Sequence, residues 1–314
     1  MTIRRIGSVV IIGAGTMGPG IAATFARHGY ATTLSDVDAR QIDKARAGID
    51  FVFATLQRGG FVTDAEVAAA RDRLTLLQDP SSAVAAADFV LENVPERLET
   101  KRAVFAALCA NARDDAILAS DTSGIPITAL QAGMKHPGRI IGMHWSNPPH
   151  LIPVIEVVKG KDTAASTVDA TVSLVENLHM LPGIIARDVP GFVENRILYA
   201  VMREALHLLD EGVASAEDID RIVKWGIGYK LAVIGPLRLL DMAGLDIYTA
   251  VAGYLNKELC NDSGISKTVT RNVGEGRLGL KTQAGLFDYA KEEIEQLARE
   301  WARLLVASKK ALTS

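Results

Sequence analysis

The sequence predicts an α/β fold, with a doubly wound, mainly parallel sheet domain followed by an all-α domain. Through residue 187, short apolar β-branched segments alternate with helical segments, which is the pattern of a parallel sheet with helical crossovers. A glycine-rich turn at 13–18 joins the first strand segment to the first helical segment. From Pro190 onward, strand signals nearly vanish. We therefore expect a sheet domain over 1–187 and a helical domain over 188–314.

Seven segments of the sheet domain are predicted strands, because each is a short apolar run bounded by turn residues. They are residues 8–13, 31–36, 88–94, 116–120, 139–145, 153–158 and 181–187. Helical spacing of apolar residues covers 17–28 and 38–57, and a third helix over 63–74 opens with a cap at Thr63 and Asp64. Strands that alternate with helices in this way assemble into one doubly wound sheet.

Three helical segments define the second domain. Residues 192–212 form a long amphipathic stretch that ends at Gly212, and 215–228 begins with a capping pattern and ends in glycines. The third segment, 235–255, is largely apolar, and from 239 onward it is apolar around its whole circumference. Such a helix either forms the core of a small domain or packs against a partner. We therefore expect a homodimer formed by the helical domain.

Composition and charge exclude several classes of protein. The chain has 314 residues, a net charge of -3 and no long basic run, so nucleic acid is not an expected partner. Cys109 and Cys260 have no CxxC spacing, which argues against a disulfide scaffold or a zinc site and fits a reducing compartment. The apolar run before Gly13 is too short for a signal-peptide core or a membrane span. We expect a cytoplasmic protein without membrane contact.

The turn "GAGTMG" has the spacing of a dinucleotide-binding loop. Gly13 permits the tight turn, Gly15 lets the backbone approach a pyrophosphate, and Gly18 lets helix and strand pack closely. Asp36 closes the second strand segment, where a carboxylate binds the adenosine ribose hydroxyls and repels a 2′-phosphate. The alternative is a turn without ligand and an aspartate that caps the next helix, although Asp38 suits that cap better. The sequence thus predicts a Rossmann-like domain that binds NAD rather than NADP.

The chain resembles the 3-hydroxyacyl-CoA dehydrogenase family over nearly its whole length. The motifs that carry the resemblance are "VVIIGAGTMGPGIA", "ENVPERLETK", "SDTSGIPIT", "GMHWSNPPHLIPVIEVV", "DVPGFVENR", "IGPLRLLDMAGLD" and "GRLGLKTQAGLFDY". The resemblance implies an NAD-dependent oxidoreductase with an N-terminal Rossmann-like domain. It also implies a helical domain that mediates dimerisation and a catalytic His–Glu pair at the cleft.

Matching the motifs position by position implies two groups of site residues. Those matched to catalysis are His144, Glu156, Ser123 and Asn195. Those matched to the cofactor are Gly13, Gly15, Thr16, Met17, Gly18, Asp36, Glu96, Lys101 and Asn147. In the family, the positions of Glu96 and Lys101 line the NAD ribose and nicotinamide region, and the position of Asn147 lies near the nicotinamide. No metal is expected.

His144 and Glu156 both lie in predicted strands, and a buried carboxylate needs a charged or hydrogen-bonding partner. Glu156 can accept the Nδ1 proton of His144 and leave Nε2 toward the substrate, and we expect two adjacent parallel strands to present the pair at their ends. His144 then takes a hydroxyl proton while hydride passes to the nicotinamide, and Ser123 and Asn195 hydrogen-bond the substrate oxygen. The alternative is a core histidine and an unrelated solvated glutamate.

The sequence leaves the substrate open. No lysine occurs between Lys44 and Lys101 to hold a CoA phosphate, Gly60 stands where acyl-CoA-using members have lysine, and His150 adds a histidine beside the site. Beside these departures from acyl-CoA-using members, the segment "NPPHLIPVIEVV" resembles the branch of the family that acts on small carboxylates. Three enzyme alternatives remain: a pyridine-carboxylate aldehyde oxidised through a hydrate formed by His144, a small 3-hydroxy acid, and 3-hydroxybutyryl-CoA. A fourth alternative is an NAD-binding structural protein of the crystallin type.

Overall fold

The computed structural model describes residues 6–313 and divides the chain into two compact units. One unit holds the chain up to Asn195 together with the segment from Ala302 onward, and the other is Arg196–Trp301. The sequence places the domain boundary after residue 187, whereas the division lies after Asn195, so residues 188–195 belong to the unit with the sheet. The last segment of the chain, expected in the helical domain, also belongs to the unit with the sheet.

The first unit is built on one eight-stranded sheet. Its strands are β1 (Ser8–Ile12), β2 (Ala31–Ser35), β3 (Leu74–Leu77), β4 (Phe89–Glu92), β5 (Ile117–Ser120), β6 (Ile140–Trp145), β7 (Val154–Val158) and β8 (Leu181–Ile185). They lie in the order β3-β2-β1-β4-β5-β6-β7-β8. Every neighbouring pair is parallel except β6 and β7, which run antiparallel. The prediction of a doubly wound, mainly parallel sheet is confirmed.

The strand β3 is not predicted by the sequence pattern. The helix expected over 63–74 ends at Asp72, and Leu74 begins a strand that pairs with β2. All four residues of β3 keep some exposure, so it lacks the buried apolar run that identifies the other strands. The start of the helix is as expected. The Thr63 hydroxyl accepts from the Glu66 amide, and the Glu66 carboxylate accepts from the Thr63 amide, which together form a capping box.

Helices cover both faces of the sheet. They are α1 (Gly18–Arg27), α2 (Ala39–Arg58), α3 (Asp64–Asp72), α4 (Ser81–Ala86), α5 (Leu98–Asn111), α6 (Ile127–Gln131) and α7 (Ala165–Asn177). One core layer joins α1, α2 and α7 to the sheet around Phe25, Phe53 and Trp145. A second layer joins α4, α5 and α6 to the sheet around Phe105 and Leu118. The strands β4, β5 and β6 are buried along their whole length, as expected for strands covered on both faces.

The second unit is helical. Its helices are α8 (Glu194–Asp210), which begins in the first unit, α9 (Ala216–Ile222), α10 (Tyr229–Val233), α11 (Pro236–Ala243), α12 (Leu245–Glu258), α13 (Lys267–Gly274) and α14 (Lys291–Thr313), which ends in the first unit. The apolar stretch 235–255, expected as one helix, is divided into two because Gly244 adopts a φ of 99°. Within the described chain, α8, α10, α11 and α12 contain no buried residue. Across residues 6–313, no helix is both long and apolar enough to span a bilayer.

Candidate active site

The glycine turn between β1 and α1 packs tightly on one side and is open on the other. Gly13 has a φ of +114°, and a Cβ atom there would lie 2.3 Å from the carbonyl oxygen of Asn93. A Cβ atom at Gly18 would lie 2.5 Å from the carbonyl oxygen of Gly13. At Gly15, by contrast, no atom of the described chain lies within 4 Å of the Cβ position, and Gly15 and Thr16 are exposed. The backbone at Gly15 is therefore accessible to a pyrophosphate.

The start of α1 suits an anion. In the described chain, the N-cap residue Met17 makes no side-chain capping hydrogen bond, and the first turn carries no acidic residue. Helix-start amides lack intrahelical partners and, with the helix dipole, favour phosphate oxygens. Asp36 follows β2 and accepts hydrogen bonds from the amides of Ala14 and Asp38, at 2.9 and 3.0 Å. Asp38, and not Asp36, caps α2, which leaves Asp36 beside the glycine turn. The start of α1 therefore fits the diphosphate of NAD, and the Asp36 carboxylate fits its adenosine ribose.

A buried ion pair lies at the end of β4. Lys101 is 1% exposed, and its Nζ lies 2.8 Å from Oε1 of Glu92, which is 0% exposed. The same Nζ donates to the carbonyl oxygen of Val94 and lies 3.3 Å from Oε2 of Glu96. The second carboxylate oxygen of Glu92 accepts a hydrogen bond from the Ser120 hydroxyl. Lys101 is thus buried among protein groups, and its expected contact with NAD stays a prediction.

The carboxylate of Glu96 holds the turn that carries Ser123. Its Oε1 accepts hydrogen bonds from Thr122 Oγ1 and from the amides of Ser123 and Gly124, at 2.5, 3.0 and 3.1 Å. Asn195 Nδ2 donates to the carbonyl oxygen of Ser123 at 2.8 Å. The structure therefore brings Glu96, Ser123 and Asn195 together, with Ser123 exposed. The expected contact of Glu96 with NAD stays a prediction.

His144 and Glu156 are direct cross-strand partners in the pair formed by β6 and β7. His144 Nδ1 lies 2.8 Å from Glu156 Oε2, and the two residues are 5% and 4% exposed. Because a carboxylate only accepts, Nδ1 carries the proton and Nε2 is left for a substrate. The expectation of parallel strands is wrong here. The connection 146–153 is shorter than the dozen or so residues that a parallel crossover needs, so the chain turns back.

The charges around His144 favour its protonated form. Burial lowers the pKa of His144, but the hydrogen bond to Glu156 and the charges of Asp121, Glu156 and Glu194 raise it, and the net shift is upward. Burial raises the pKa of Glu156, but hydrogen bonds from His144 and from the amides of Glu194 and Val193 lower it, and the net shift is downward. The pair is therefore a carboxylate beside a basic imidazole, which suits a general base.

Glu194 is a further carboxylate beside the pair, which the sequence analysis misses. It begins α8, and its Oε2 accepts a hydrogen bond from the Ser146 hydroxyl. A Glu194 oxygen, a ring nitrogen of His144 and an oxygen of Glu156 all lie within 4.8 Å of one another. Side chains that converge in this way are also seen around metal ions, and the direct hydrogen bond between His144 and Glu156 also suits proton transfer. The sequence feature that could have identified Glu194 as a site residue is its position directly before Asn195 in "VENR".

Asp121 is a second carboxylate that the sequence analysis misses. It follows β5, is 8% exposed, and accepts a hydrogen bond from the amide of Trp145 at 2.8 Å. Burial raises the pKa of Asp121 to about 7, against the opposing effects of that hydrogen bond and of His144 and Lys101. Its place in "SDTS", two residues before Ser123, is the signal that could have identified it.

The loop between β6 and β7 carries Asn147 and His150. Asn147 is exposed and precedes Pro148 through a cis peptide bond. His150 is buried, and its Nδ1 lies 3.4 Å from the position that a Cβ atom of Gly20 would take, so the ring packs against α1. Burial, and after it the charges of Arg27 and Lys309, lower the pKa of His150 to about 4. The expected role of Asn147 near the nicotinamide stays a prediction.

Two family models match the chain. The model described as "3-hydroxyacyl-CoA dehydrogenase, NAD binding domain" matches residues 8–189. The model described as "3-hydroxyacyl-CoA dehydrogenase, C-terminal domain" matches residues 191–289. The first match includes every residue expected to bind NAD, and the second includes Asn195.

Similar proteins match the chain over nearly its full length. The 5-formyl-3-hydroxy-2-methylpyridine 4-carboxylate 5-dehydrogenase of Mesorhizobium japonicum is 45% identical over 307 residues, which is 98% of this chain and 98% of the relative. The 3-hydroxybutyryl-CoA dehydrogenase of Bradyrhizobium diazoefficiens is 35% identical over 91% of this chain and 96% of the relative. A crystal structure of a 5-formyl-3-hydroxy-2-methylpyridine 4-carboxylic acid 5-dehydrogenase, described as an NAD+-dependent dismutase, matches with a TM-score of 0.93 and 44% identity and covers 99% of each chain.

Proposed function

The chain belongs to the 3-hydroxyacyl-CoA dehydrogenase family and is an NAD-dependent dehydrogenase, and from this premise we propose that it oxidises a small aldehyde that carries a carboxylate. The proposed substrate is 5-formyl-3-hydroxy-2-methylpyridine 4-carboxylate, which the relative with 45% identity is named for. The observation that carries the proposal is the buried 2.8 Å hydrogen bond between His144 and Glu156. This pair supplies the base that such an oxidation needs.

His144 moves protons in both steps of this reaction. Its Nε2 takes a proton from water as the water oxygen adds to the aldehyde carbon, and it returns that proton to the former carbonyl oxygen, which gives the neutral hydrate and restores the free base. It then takes a hydroxyl proton from the hydrate, while the carbon–hydrogen electron pair leaves as hydride and the carboxylic acid forms. NAD, when bound, supplies the hydride acceptor. Glu156 keeps Nδ1 protonated, fixes the ring and stabilises the imidazolium that forms in each step.

Ser123 and Asn195 are proposed to position the oxygen atoms of the substrate. Asn195 is tied to the Ser123 backbone by its 2.8 Å hydrogen bond, and Glu96 secures the same turn through two amides and a hydroxyl. A turn anchored in this way presents the exposed Ser123 hydroxyl in a fixed place. Fixed donors stabilise a developing oxyanion without the cost of reorganising in the transition state.

A second candidate substrate is 3-hydroxybutyryl-CoA, which the 35% identity to a 3-hydroxybutyryl-CoA dehydrogenase supports. The same base would remove one hydroxyl proton from it or from a free 3-hydroxy acid. The absence of lysine from residues 45–100 argues against a bound CoA phosphate. An NAD-binding structural protein, the remaining alternative, would bind NAD without appreciable turnover.

A panel assay tests the proposal. NADH formation is followed with the pyridine aldehyde, several 3-hydroxy acids and 3-hydroxybutyryl-CoA at matched concentrations. We expect the highest kcat/KM for the aldehyde, with the corresponding dicarboxylate as product. A higher kcat/KM for the thioester or a hydroxy acid would reject the aldehyde, and turnover of none of these compounds would favour the structural alternative.

We also infer a homodimer formed by the helical unit, in the cytoplasm. Large apolar side chains of the second unit are exposed in the single chain, among them Trp225 at 64%, Tyr229 at 65%, Leu237 at 77% and Met242 at 74%. Exposed apolar surface on this scale is typical of an interface. Light scattering at micromolar concentration checks the inference, and a monomeric mass would contradict it.

A further inference from the structure

We propose that His144, Glu156 and Glu194 form a binding site for a divalent transition-metal ion such as Zn²⁺, and that the bound ion inhibits the enzyme. The ion is an inhibitor in this proposal and not a cofactor, so the oxidation proceeds without it. Binding of the ion depends on the three side chains alone. The inhibition rests on the proposed function, because it requires His144 to act as the base.

The three side chains offer the kinds of atom that bind zinc. His144 on β6 offers a ring nitrogen, and Glu156 on β7 and Glu194 at the start of α8 each offer a carboxylate oxygen. Zinc binds such atoms at about 2.0–2.2 Å, which places the ligand atoms of a tetrahedral site about 3.3–3.6 Å apart. In the structure no two of the three atoms are more than 4.8 Å apart. This upper limit is compatible with a single ion bound by all three side chains.

Hydrogen bonds from neighbouring groups orient both carboxylates. Oε1 of Glu156 accepts from the amides of Val193 and Glu194, at 3.0 and 3.1 Å. Oε2 of Glu194 accepts from the Ser146 hydroxyl. Each carboxylate thus has one oxygen held by a donor outside the group and a second oxygen that can bind an ion. Outer hydrogen bonds of this kind are typical of carboxylates that ligate a metal.

The charge and the exposure of the group also suit a dication. The charged groups that act on His144 are the carboxyl groups of Asp121, Glu156 and Glu194. Carboxylates that converge in a partly buried place repel each other, and a dication between them removes that repulsion. His144 and Glu156 are 5% and 4% exposed, whereas Glu194 is partly exposed. Glu194 therefore provides the entry path that a metal site needs.

A bound ion disables the base whichever ring nitrogen of His144 it occupies. On Nε2, the ion takes the lone pair that would accept the proton of the substrate. On Nδ1, the ion replaces the proton that now points to Oε2 of Glu156, and that proton moves to Nε2, which then has no free lone pair. The ring stays neutral in both cases, and Zn²⁺ keeps its oxidation state. Inhibition therefore needs no other reactant.

A titration with Co²⁺ tests the binding without any turnover. The full-length protein is treated with EDTA, dialysed and titrated with Co²⁺, whose visible absorption is much stronger in tetrahedral coordination than in water. We expect a visible band that saturates at one ion per chain and that Zn²⁺ abolishes. A near-ultraviolet cobalt–thiolate band would instead indicate binding at Cys109 or Cys260, which are free cysteines, and would contradict the proposed ligands.

Variants of the group and of a surface histidine separate the proposed site from adventitious binding. Glu194→Gln removes a ligand charge and should weaken Zn²⁺ binding by more than about 100-fold, because the loss of an outer hydrogen bond alone costs about 10- to 100-fold. Ser146→Ala removes only such an outer bond, so it should weaken binding within that smaller range. It is the variant to use if Glu194→Gln does not fold. His136→Gln is the control, since His136 is exposed and lies 3.6 Å from Asp114 Oδ1. It should leave the titration unchanged.

The simpler role for Glu194 is that of an acidic residue in the first turn of α8, where it interacts favourably with the helix dipole. Thermal melts of the same variants measure that role. A purely structural Glu194 would lower the melting temperature when it is replaced, without changing the affinity for Co²⁺ or Zn²⁺ in the folded protein.

An activity assay tests the inhibition. NADH formation from the pyridine aldehyde is measured at increasing free Zn²⁺, which is fixed by a metal buffer because the substrate itself chelates the ion. We expect the wild-type rate to fall along the binding curve obtained by displacement of Co²⁺, and excess EDTA to restore it. In Ser146→Ala, the inhibition curve should shift to higher free Zn²⁺ by the same factor as the binding curve.

A titration that shows only the spectrum of aqueous Co²⁺, or a band that Glu194→Gln leaves unchanged, would overturn the metal site and leave the proposed function standing. Binding as expected in an enzyme that Zn²⁺ does not inhibit would overturn the inhibition and contradict the role of His144 as base. If wild type does not oxidise the aldehyde, the proposed function fails and the inhibition falls with it, while the Co²⁺ titration still decides whether the site exists.

Discussion

His144 and Glu156 face each other across the one antiparallel strand pair found in the described sheet, with Nδ1 and Oε2 2.8 Å apart. In an antiparallel pair, opposite residues have Cβ atoms about 4.5–5.5 Å apart, which brings an imidazole and a carboxylate into direct contact. Strand register therefore places both side chains, and neither depends on a loop for its position. A slip of one residue would turn both side chains to the other face of the sheet.

Loss of the proposed base, His144, should reduce turnover strongly and spare cofactor binding. We expect His144→Ala to lower kcat by orders of magnitude while the Kd for NAD changes little, because the proton transfer is made in the transition state. Glu156→Gln should slow the reaction less and lower the kinetic pKa, since a neighbouring anion that favours imidazolium is removed. The double variant should be little worse than His144→Ala. If the two losses multiply in full, the residues act independently and the pair is not one unit.

Asp36 should determine the preference for NAD over NADP. Its carboxylate stays beside the glycine turn through the Ala14 amide, where it would repel a 2′-phosphate. Asp36→Asn keeps the size and loses the charge, so the ratio of kcat/KM for NAD to that for NADP should fall. Steady-state kinetics with both cofactors measure this ratio. A wild-type enzyme that prefers NADP would contradict the assignment.

The glycine turn offers a matched pair of substitutions. Gly13→Ala places a Cβ atom 2.3 Å from the Asn93 carbonyl oxygen at a φ of +114°, so we expect a clear loss of thermal stability. Gly15→Ala meets no described atom within 4 Å, so the melting temperature should hardly change while the Kd for NAD rises. Thermal melts and NAD titrations on both variants separate packing from binding. Unchanged NAD affinity in Gly15→Ala would place the pyrophosphate elsewhere.

Removing Lys101 should destabilise the first unit strongly. Lys101→Met leaves the Glu92 carboxylate buried without its cation, and breaking a buried pair in this way costs about 3–5 kcal/mol. The double variant Glu92→Gln with Lys101→Met should recover part of that loss. Arg71→Met, which breaks an exposed ion pair with Asp50, is the control and should change the free energy of unfolding little. Urea unfolding gives the three values, and equal effects of the two single variants would refute the argument.

Protonation of His28 and His150 should weaken the fold between pH 6.5 and 4. Burial, and after it the charge of Arg27, lower the pKa values of His28 and His150 from 6.5 to about 4. In this window these two residues bind more protons in the unfolded chain than in the folded chain, so their contribution to the free energy of unfolding falls as the pH is lowered, whereas Asp121, whose pKa burial raises to about 7, contributes in the opposite sense. Above pH 6.5 the rings of His28 and His150 are mostly neutral in both the folded and the unfolded chain, so their full contribution to the free energy of unfolding is present.

The substitution His150→Gln isolates this effect. It removes one titrating ring, so the free energy of unfolding measured in urea should depend less steeply on pH between 6.5 and 4 than it does in wild type. His136→Asn, at an exposed histidine, should keep the wild-type slope. An unchanged slope in His150→Gln would show that His150 has the same pKa in the folded and the unfolded chain, and would contradict the lowered value.

The sequence predicts those features that depend on local pattern. The strand runs, the glycine turn and the Thr63 capping box are each specified within a few neighbouring residues. The direction of β7 is also encoded locally, since the connection 146–153 is too short for a parallel crossover, although the sequence analysis places both strands parallel. The division at Gly244 follows from a glycine inside an apolar run, whose φ of 99° a helix cannot continue.

Features that depend on distant contacts are not recoverable from one sequence. Glu194 and Ser146 are far apart in the chain and meet only when α8 starts beside β6. Lys101 matches a cofactor-lining position, yet nothing local shows that Glu92 and Glu96 both converge on it. These side chains meet only because the sheet order places β4, β5 and β6 side by side.

The complete burial of β6 also limits the timescale on which His144, the proposed base, can move. Its backbone is hydrogen-bonded to strands on both sides, and the Trp145 amide next to His144 is held by Asp121. Amides in such a position exchange with deuterium only when the whole unit opens, so they report the global free energy of unfolding. We therefore expect the histidine to lie on one of the slowest-exchanging segments of the described chain, so that the parts that move during turnover move around it.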